Sequence, residues 1–437
     1  MKVKELSFSS FSSIVNALKS LSPGLITGAA DDDPSSIATF FQIGAKLGLG
    51  LLWMVLFLLP MKIAIQEICA RIGLVTGKGL ATVIKNRYSK IVVLPISSLL
   101  ILANVINIGV DIGAMAASIH LIFPQLPSYV ATIIFTILIL VTEIFIPYVK
   151  YVRFLKYLTL SLFAYVITAV IVGGNFTQIL SATVIPHIEF SSDFIMLFVA
   201  MFGTTISPYL LFWQVSEEAE EDVAKNKIKE IGKGKPNISK KELKIMRKDV
   251  TIGMFFSQFI VWSIIITTAG SLHINGITDI QTTDQAAQAL EPLVNTFPYS
   301  GEISKIIFAL GIIGTGLLSI PVLSGASAYT LSDTFGWKEG LGRTFNQAKF
   351  FYIIIILSTT IGLVIAIFDT NIIQALIYAS VINGIIAIPM IFIILKIGND
   401  KNILKDKTNG LFSNFVGWIT FVIMTISVIL LFLTGIK

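Results

Sequence analysis

Residues 27–36 of the chain have the sequence TGAADDDPSS, which places three consecutive aspartates and a proline between apolar residues 26–30 and 37–41. Each charged side chain at the centre of a membrane helix costs about 2.5–3.5 kcal/mol on insertion scales, so such a cluster must meet cations or water. Proline disfavours a helical conformation at the preceding residue and suits the first position of a helix. We therefore expect a helix break here, with Asp33 as the N-cap and Pro34 as the start of a new helix. A short extracellular loop is the alternative, although the apolar flanks leave little room for two complete helices around it.

The composition around this stretch indicates an integral membrane protein. Of 437 residues, 54% are hydrophobic and 13% are charged, whereas globular proteins carry about 25% charged residues. Eighteen of the charged residues lie within residues 215–250, so the rest of the chain is nearly bare of charge. Cys69 is the single cysteine, which excludes an internal disulfide and a metal cage built from cysteines.

Apolar segments long enough to cross a membrane occur about eleven times. Their approximate cores are residues 18–45, 49–72, 92–122, 129–149, 155–172, 194–213, 252–269, 306–329, 350–368, 372–395 and 412–434. With the amino terminus in the cytoplasm, 28 of the 32 basic residues fall on the cytoplasmic side, where basic residues accumulate. We expect a multi-pass cell-membrane protein whose carboxyl terminus lies outside. Residues 215–250 are then a solvated cytoplasmic loop and not a nucleic-acid-binding patch.

A second break is predicted in the sixth span, where residues 203–209 have the sequence GTTISPY. A proline kink alone would also explain this motif. Spans one and six cross in opposite directions, however, and two broken helices five spans apart are typical of inverted repeats that meet at a binding site near the midplane. We therefore expect an all-α membrane transport domain over residues 1–437. Its repeats of five helices cover residues 15–175 and 192–396, and an extra helix covers residues 410–435.

These motifs resemble the NRAMP family of divalent-metal transporters. Residues 22–24 (SPG) and 33–39 (DPSSIAT) match the spacing of the family's Asp-Pro-Gly-Asn motif in its broken first helix. Residues 66–77 (QEICARIGLVTG) resemble the family's Ala-Arg-Leu-Gly-Val-Val-Thr-Gly stretch at the end of the second helix. The resemblance implies a LeuT-like fold with broken helices 1 and 6. It also implies a transporter rather than an enzyme, with a metal ion as substrate and no cofactor.

The resemblance implies a set of metal-binding positions. Asp33 falls on the family's metal-binding aspartate, and Ser36 falls on its asparagine. Thr204 falls on the residue that provides a backbone carbonyl, Ser207 on the methionine that provides a thioether, and Tyr209 on a histidine of the sixth helix.

The departures from the family pattern favour a harder ion. Asp31 and Asp32 stand where the family usually has uncharged residues, and serine replaces the thioether. Thioether sulfur favours transition metals, whereas carboxylate, carbonyl and water oxygens favour magnesium, calcium and manganese. Magnesium keeps several of its waters and needs only one or two carboxylates. The pattern resembles the NRAMP-related magnesium transporters, and we add Asp31 and Asp32 to the predicted metal set.

Further polar residues inside spans are accessory candidates. Asp111 could take part in a cation path or a proton relay, or could equally be a structural hydrogen-bonding partner. Glu67 could also carry protons, and Tyr209 is a possible accessory residue of the metal site. Lys62 and Glu67 are too far round one helix to pair ideally, so each is expected to pair with another span or to reach towards the cytoplasm.

The leading hypothesis is a monomeric transporter that imports hydrated Mg²⁺, and also Mn²⁺, by alternating access. We expect no proton coupling, because Tyr209 replaces the family histidine and the three histidines of the chain fall at outside edges. A proton-coupled Mn²⁺ or Fe²⁺ importer is one alternative. A membrane enzyme with an aspartate-rich Mg²⁺ site is another, but it needs a second such motif. A sodium-coupled transporter of organic solutes would require an uncharged first break.

Overall fold

A computed structural model describes residues 22–146, 150, 159–368 and 371–434. The predicted starts of the first and fifth spans, residues 18–21 and 155–158, lie outside the described residues. Over the described ranges the chain is helical and forms no β-strand beyond an isolated bridge between Glu230 and Lys233.

The helices that follow one another along the chain are numbered here in order. They are α1 (Pro23–Ala30), α2 (Pro34–Leu47), α3 (Trp53–Thr76), α4 (Leu80–Tyr88), α5 (Lys90–Ile122), α6 (Ser128–Phe145), α7 (Phe163–Val172), α8 (Phe176–Val184), α9 (Ser192–Thr205), α10 (Pro208–Ala224), α11 (Lys240–Thr268), α12 (Thr283–Gln288), α13 (Glu291–Val294), α14 (Ser300–Phe335), α15 (Lys349–Phe368), α16 (Ile372–Gly398), α17 (Lys401–Leu404) and α18 (Leu411–Thr434).

Within the described residues the structure supports nine or ten of the eleven spans expected from hydropathy. Nine helices or continuous helix pairs in the described part of the chain are long and apolar enough to cross a membrane, and the bent pair α7 and α8 makes a tenth. The first predicted span corresponds to α1 and α2, two helices separated by the three aspartates. The protein is therefore a multi-pass membrane protein.

Both predicted breaks are confirmed. Asp33 is the N-cap of α2, where its side chain accepts a hydrogen bond from the amide of Ser36, and Pro34 is the first helical residue. The sixth span is interrupted after Thr205 and restarts at Pro208, with Ser207 in the N-cap position of α10. Extended backbone before each proline ends one half-helix and starts the next, as the chain chemistry requires.

Glycines bring the half-helices against their neighbours. α1 packs along α11, and a Cβ added at Gly28 would lie 2.5 Å from the carbonyl carbon of Gly253 and 2.8 Å from its Cα. Only glycine permits this backbone approach. In the most apolar 18-residue stretch of the broken sixth span 89% of the residues are buried, whereas 28% of those in α6 are. Asp33 at the first break and Ser207 at the second are both buried, so the two breaks lie in the protein interior and not against lipid.

One end of the bundle carries most of the described basic residues and is called the basic face below. It consists of residues 77–90, 225–240, 337–349 and 396–410. Within the predicted loop 215–250, α10 continues to Ala224 and α11 begins at Lys240, so that the non-helical part is residues 225–239. α10 and α11 extend beyond their apolar segments, because charged residues can remain helical in water. Hydropathy does not indicate such helical extensions.

Candidate metal site at the two helix breaks

The two breaks contact one another through Tyr209. Its hydroxyl lies 2.9 Å from the carbonyl oxygen of Ala30, the last residue of α1, and 3.1 Å from Oδ2 of Asp33. The last carbonyls of a helix have no partner within it, so the tyrosine caps the first half-helix from the second break. Tyr209 is fully buried. Its side chain therefore joins the two breaks at one point in the interior.

Asp33 is held by donors on three sides. Its Oδ1 accepts hydrogen bonds from the Ser36 amide at 2.7 Å and from Ser35 Oγ at 2.8 Å, while Oδ2 faces Tyr209. The positive end of α2 also favours the carboxylate. Ser36 Oγ is buried and has no hydrogen-bond partner among the described residues. Asp33 and Ser36 thus present oxygen atoms of two kinds at the start of one helix.

At the second break the hydroxyls serve the backbone. Ser207 Oγ donates to the carbonyl oxygens of Thr204, at 2.6 Å, and Gly203, at 3.0 Å, and Thr204 Oγ1 donates to Met201 O at 3.0 Å. Both side chains are buried. The end of α9 therefore supplies carbonyl oxygens, and Ser207, which the sequence resemblance places at the family's methionine position, supplies a hydroxyl.

The three aspartates do not share one environment. Asp33 faces α10, whereas Asp31 forms a buried ion pair with Lys62 of α3 and accepts a hydrogen bond from Ser257 Oγ of α11 at 2.7 Å. Ser257 Oγ also lies 3.1 Å from Oδ1 of Asp32. In the described ranges no group of three or more histidine, cysteine, aspartate or glutamate side chains is arranged to hold a metal ion. A cation at the breaks would therefore depend on hydroxyl, carbonyl and water oxygens beside Asp33.

The accessory candidates lie in two places. Asp111 is buried in α5, where Ser319 Oγ lies 3.4 Å from its Oδ2, and Asn107 of the same helix lies 3.4 Å from Ser35 at the first break. Glu67 lies nearer the basic face and accepts hydrogen bonds from Arg247 of α11 at 2.7 Å and from Ser413 of α18 at 3.1 Å, besides an ion pair with Arg71. Glu67 thus ties helices together away from the breaks.

Two site neighbours were not assigned a role from the sequence. The sequence indicated that Lys62 needs a partner, since a lysine in the middle of a span must be compensated, but that partner comes from a different span. Nothing in the sequence indicated Ser257, because serines are common in membrane helices and only the packing of α11 against α1 brings it to the aspartates.

Contacts at the basic face hold both half-helices in place. Glu220 of α10 accepts hydrogen bonds from the amides of Leu341, at 3.2 Å, and Gly342, at 2.6 Å. Asp249 of α11 accepts one from the amide of Gly24, in the first turn of α1, at 2.8 Å. These hydrogen bonds tie α10 and the start of α1 to neighbouring segments at the end of the bundle that carries the basic face.

On the opposite side a very small apolar cavity of about 10 Å³ reaches Pro34. Phe41, Phe308 and Ile312 are among the residues that line it.

The chain matches a known protein family over nearly its whole described length. The family model described as "Natural resistance-associated macrophage protein-like" (Nramp) matches residues 24–434. The chain belongs to the Nramp family. The predicted family is thereby confirmed, and both breaks lie inside the matched range.

Individual relatives of this Nramp protein agree with that assignment. It is 26% identical over 315 residues to the divalent metal cation transporter MntH of Pectobacterium carotovorum, an alignment that covers 70% of each chain. The crystal structure of the Eremococcus coleocola manganese transporter superposes with a TM-score of 0.73 at 15% identity, covering 96% of this chain and 86% of that one. MhsT in complex with L-phenylalanine superposes with a TM-score of 0.63 at 12% identity, covering 94% and 98%. These likenesses confirm the predicted LeuT-like fold, and the Nramp relatives are transporters and not enzymes.

Proposed function

We propose that this Nramp protein imports divalent cations, chiefly hydrated Mg²⁺ and also Mn²⁺, by alternating access and without proton coupling. The single observation that carries the proposal is the chemistry of the breaks. Asp33, Ser36, Ser207 and the Thr204 carbonyl present only oxygen atoms. Such a set favours hard cations, and Mg²⁺ is usually held by one or two carboxylates while it keeps several waters.

Asp33 is the proposed anchor, and Ser36, Ser207 and the Thr204 carbonyl complete the set, directly or through water. Asp31 and Asp32 add negative charge behind the anchor, and their shared contact with Ser257 directs them towards α11. We propose that they attract the hydrated ion through water and not by direct coordination. Asp111 is an accessory candidate, since its Oδ1 is buried without a hydrogen-bond partner among the described residues.

The names of the relatives support the divalent class and also favour a second candidate. One is a divalent metal cation transporter and another is a manganese transporter. A proton-coupled Mn²⁺ or Fe²⁺ importer therefore remains the rival to magnesium uniport. The ligands of the breaks favour magnesium, because sulfur is replaced by a hydroxyl at Ser207.

We propose uptake driven by membrane potential alone. Tyr209 stands at the family's histidine position, and among the described histidines His120, His187 and His273 lie at the end of the bundle opposite the basic face. With the basic face in the cytoplasm, moving a divalent ion inward across 100 mV yields about 4.6 kcal/mol, twice the value for one charge. At about 1.4 kcal/mol per tenfold ratio, this energy can hold the internal concentration of the ion more than a thousandfold above the external concentration. One chain forms both breaks, so a monomer suffices.

The experiment is Mg²⁺ entry into proteoliposomes that contain a magnesium-sensitive dye, under a potassium diffusion potential that is negative inside and with equal pH on both sides. We expect entry that saturates with external Mg²⁺ and is absent from protein-free liposomes. Entry of Mn²⁺ but not Mg²⁺, or entry only with an imposed pH gradient, would favour the proton-coupled importer.

A further inference from the structure

Lys62 is a buried cation in the middle of a membrane span. It lies in α3, two residues after Pro60, and its side chain is 1% exposed. A lysine at this depth requires a compensating partner. Lys46, near the end of α2, offers a contrast, because it pairs with Asp193 at 2.8 Å where the two side chains are 28% and 54% exposed.

The partners of Lys62 come from the first break and from α11. Its Nζ forms an ion pair with Oδ2 of Asp31 and donates a hydrogen bond to Ser257 Oγ at 2.9 Å. Ser257 Oγ lies 2.7 Å from the same Asp31 oxygen. Lysine, serine and aspartate thus form a closed triangle in which one carboxylate oxygen of Asp31 is held. Its other oxygen, Oδ1, is buried and has no hydrogen-bond partner within the described residues.

The charge of Asp31 reaches the proposed cargo site. Asp31 lies two residues before Asp33 and directly after Ala30, whose carbonyl oxygen accepts a hydrogen bond from the Tyr209 hydroxyl that also contacts Asp33. Ser257 Oγ, which accepts a hydrogen bond from Lys62, also lies 3.1 Å from Oδ1 of Asp32. A change in the charge at position 62 therefore changes the number of carboxylates that attract a cation at the breaks.

We propose that Lys62 is a built-in counter-ion that holds Asp31 back from the transported divalent cation and keeps the site weak enough to release it. This inference rests on the proposed function, because it assigns a role in cation binding to a residue outside the ligand set. A transport site must bind its ion strongly enough to load and weakly enough to unload. With Lys62 present, cargo meets fewer free carboxylates than the three consecutive aspartates provide.

Two single substitutions should act in opposite directions. Lys62→Met frees Asp31, so we expect the KM for uptake to fall at least about tenfold and Vmax to fall with it, because release slows. Asp31→Asn leaves Lys62 uncompensated beside the cargo, so KM should rise at least about tenfold. The double variant, Lys62→Met with Asp31→Asn, should return KM to within about threefold of the wild-type value. Lys46→Met is the matched control and should leave KM unchanged, because it breaks a partly exposed pair.

A second readout does not require turnover. The concentration of Tb³⁺ that half-saturates its luminescence in detergent should fall at least about tenfold in Lys62→Met and rise in Asp31→Asn, because the binding of a trivalent ion depends more steeply on the charge of the site. If Lys62→Met does not reach the membrane, adding it to the Asp31→Asn protein still tests the inference, since KM should then fall.

If the ion pair between Lys62 and Asp31 were purely structural, the results would be different. Both single variants would then lower Vmax in the same direction without opposite changes in KM, and the double variant would be no better than either one. That result would overturn the inference. Each protein is assayed with Mg²⁺ and with Mn²⁺, so wild-type transport of Mn²⁺ alone would count against the magnesium proposal while the counter-ion role is still tested with Mn²⁺.

Discussion

Asp33 has two roles that can be separated by one pair of substitutions. As the N-cap of α2 it accepts the Ser36 amide at 2.7 Å, and as the proposed anchor it supplies negative charge. Asparagine caps a helix as well as aspartate does, whereas alanine at an N-cap costs about 0.5–2 kcal/mol of stability. Asp33→Asn therefore removes the charge and keeps the cap, and Asp33→Ala removes both.

The loss of charge should dominate transport. Two unit charges 4 Å apart attract by about 4 kcal/mol at an effective dielectric constant of 20, so a divalent ion that keeps one water between itself and the carboxylate gains about 8 kcal/mol. Even if desolvation leaves one quarter of this, about 2 kcal/mol, the affinity falls about 30-fold on removing the carboxylate.

The assay is the initial rate of Mg²⁺ uptake against external concentration, together with thermal unfolding in detergent. We expect both variants to lose at least about 30-fold in Vmax/KM, while only Asp33→Ala unfolds at a lower temperature. Wild-type uptake by a well-incorporated Asp33→Asn protein would refute the anchoring role. Equal unfolding temperatures of the two variants would refute the capping role.

Three further predictions test selectivity, coupling and packing. Ser36→Asn combined with Ser207→Met should raise the ratio of Cd²⁺ to Mg²⁺ uptake by at least about tenfold, because it restores an amide and a soft thioether; an unchanged ratio would count against the ligand assignment. Mg²⁺ entry at a clamped potential should leave the internal pH constant, as reported by a pH-sensitive dye, and acidification that disappears in Asp33→Asn would establish coupling. Gly28→Ala should destabilise the protein by about 1–3 kcal/mol through overpacking, measured as the unfolding midpoint. Gly410→Ala, whose added Cβ meets nothing within 4 Å, should leave that midpoint unchanged, and a Gly28→Ala protein as stable as wild type would contradict the packing described here.

Features that depend on neighbouring residues could be predicted from the sequence. The cap at Asp33 and the restart at Pro34 follow from the conformational limits of proline and from the four orphan amides of a helix start. The structure bears out both features. The spans could be predicted for the same reason, since each carries its own apolar length.

Features that depend on tertiary packing could not be predicted from the sequence. The three aspartates are consecutive, but in the non-helical break their side chains point to different helices, and Asp31 meets Lys62, 31 residues away. Such a pairing requires the relative rotation of α1, α3 and α11, which depends on glycine contacts such as that between Gly28 and Gly253. The continuation of α10 to Ala224 was also hidden, because its last turns are acidic and carry no apolar signal.

The oxygen ligands at the breaks are proposed to select a hard, hydrated ion. The most direct test of this selectivity is a side-by-side measurement of initial uptake rates for Mg²⁺, Mn²⁺ and Cd²⁺ at equal external concentrations, in one preparation of proteoliposomes at one clamped potential. We expect Mg²⁺ and Mn²⁺ to enter and Cd²⁺ to enter more slowly than Mg²⁺, since no sulfur belongs to the proposed ligand set. Faster uptake of Cd²⁺ than of Mg²⁺ by the wild-type protein would contradict the proposed selectivity.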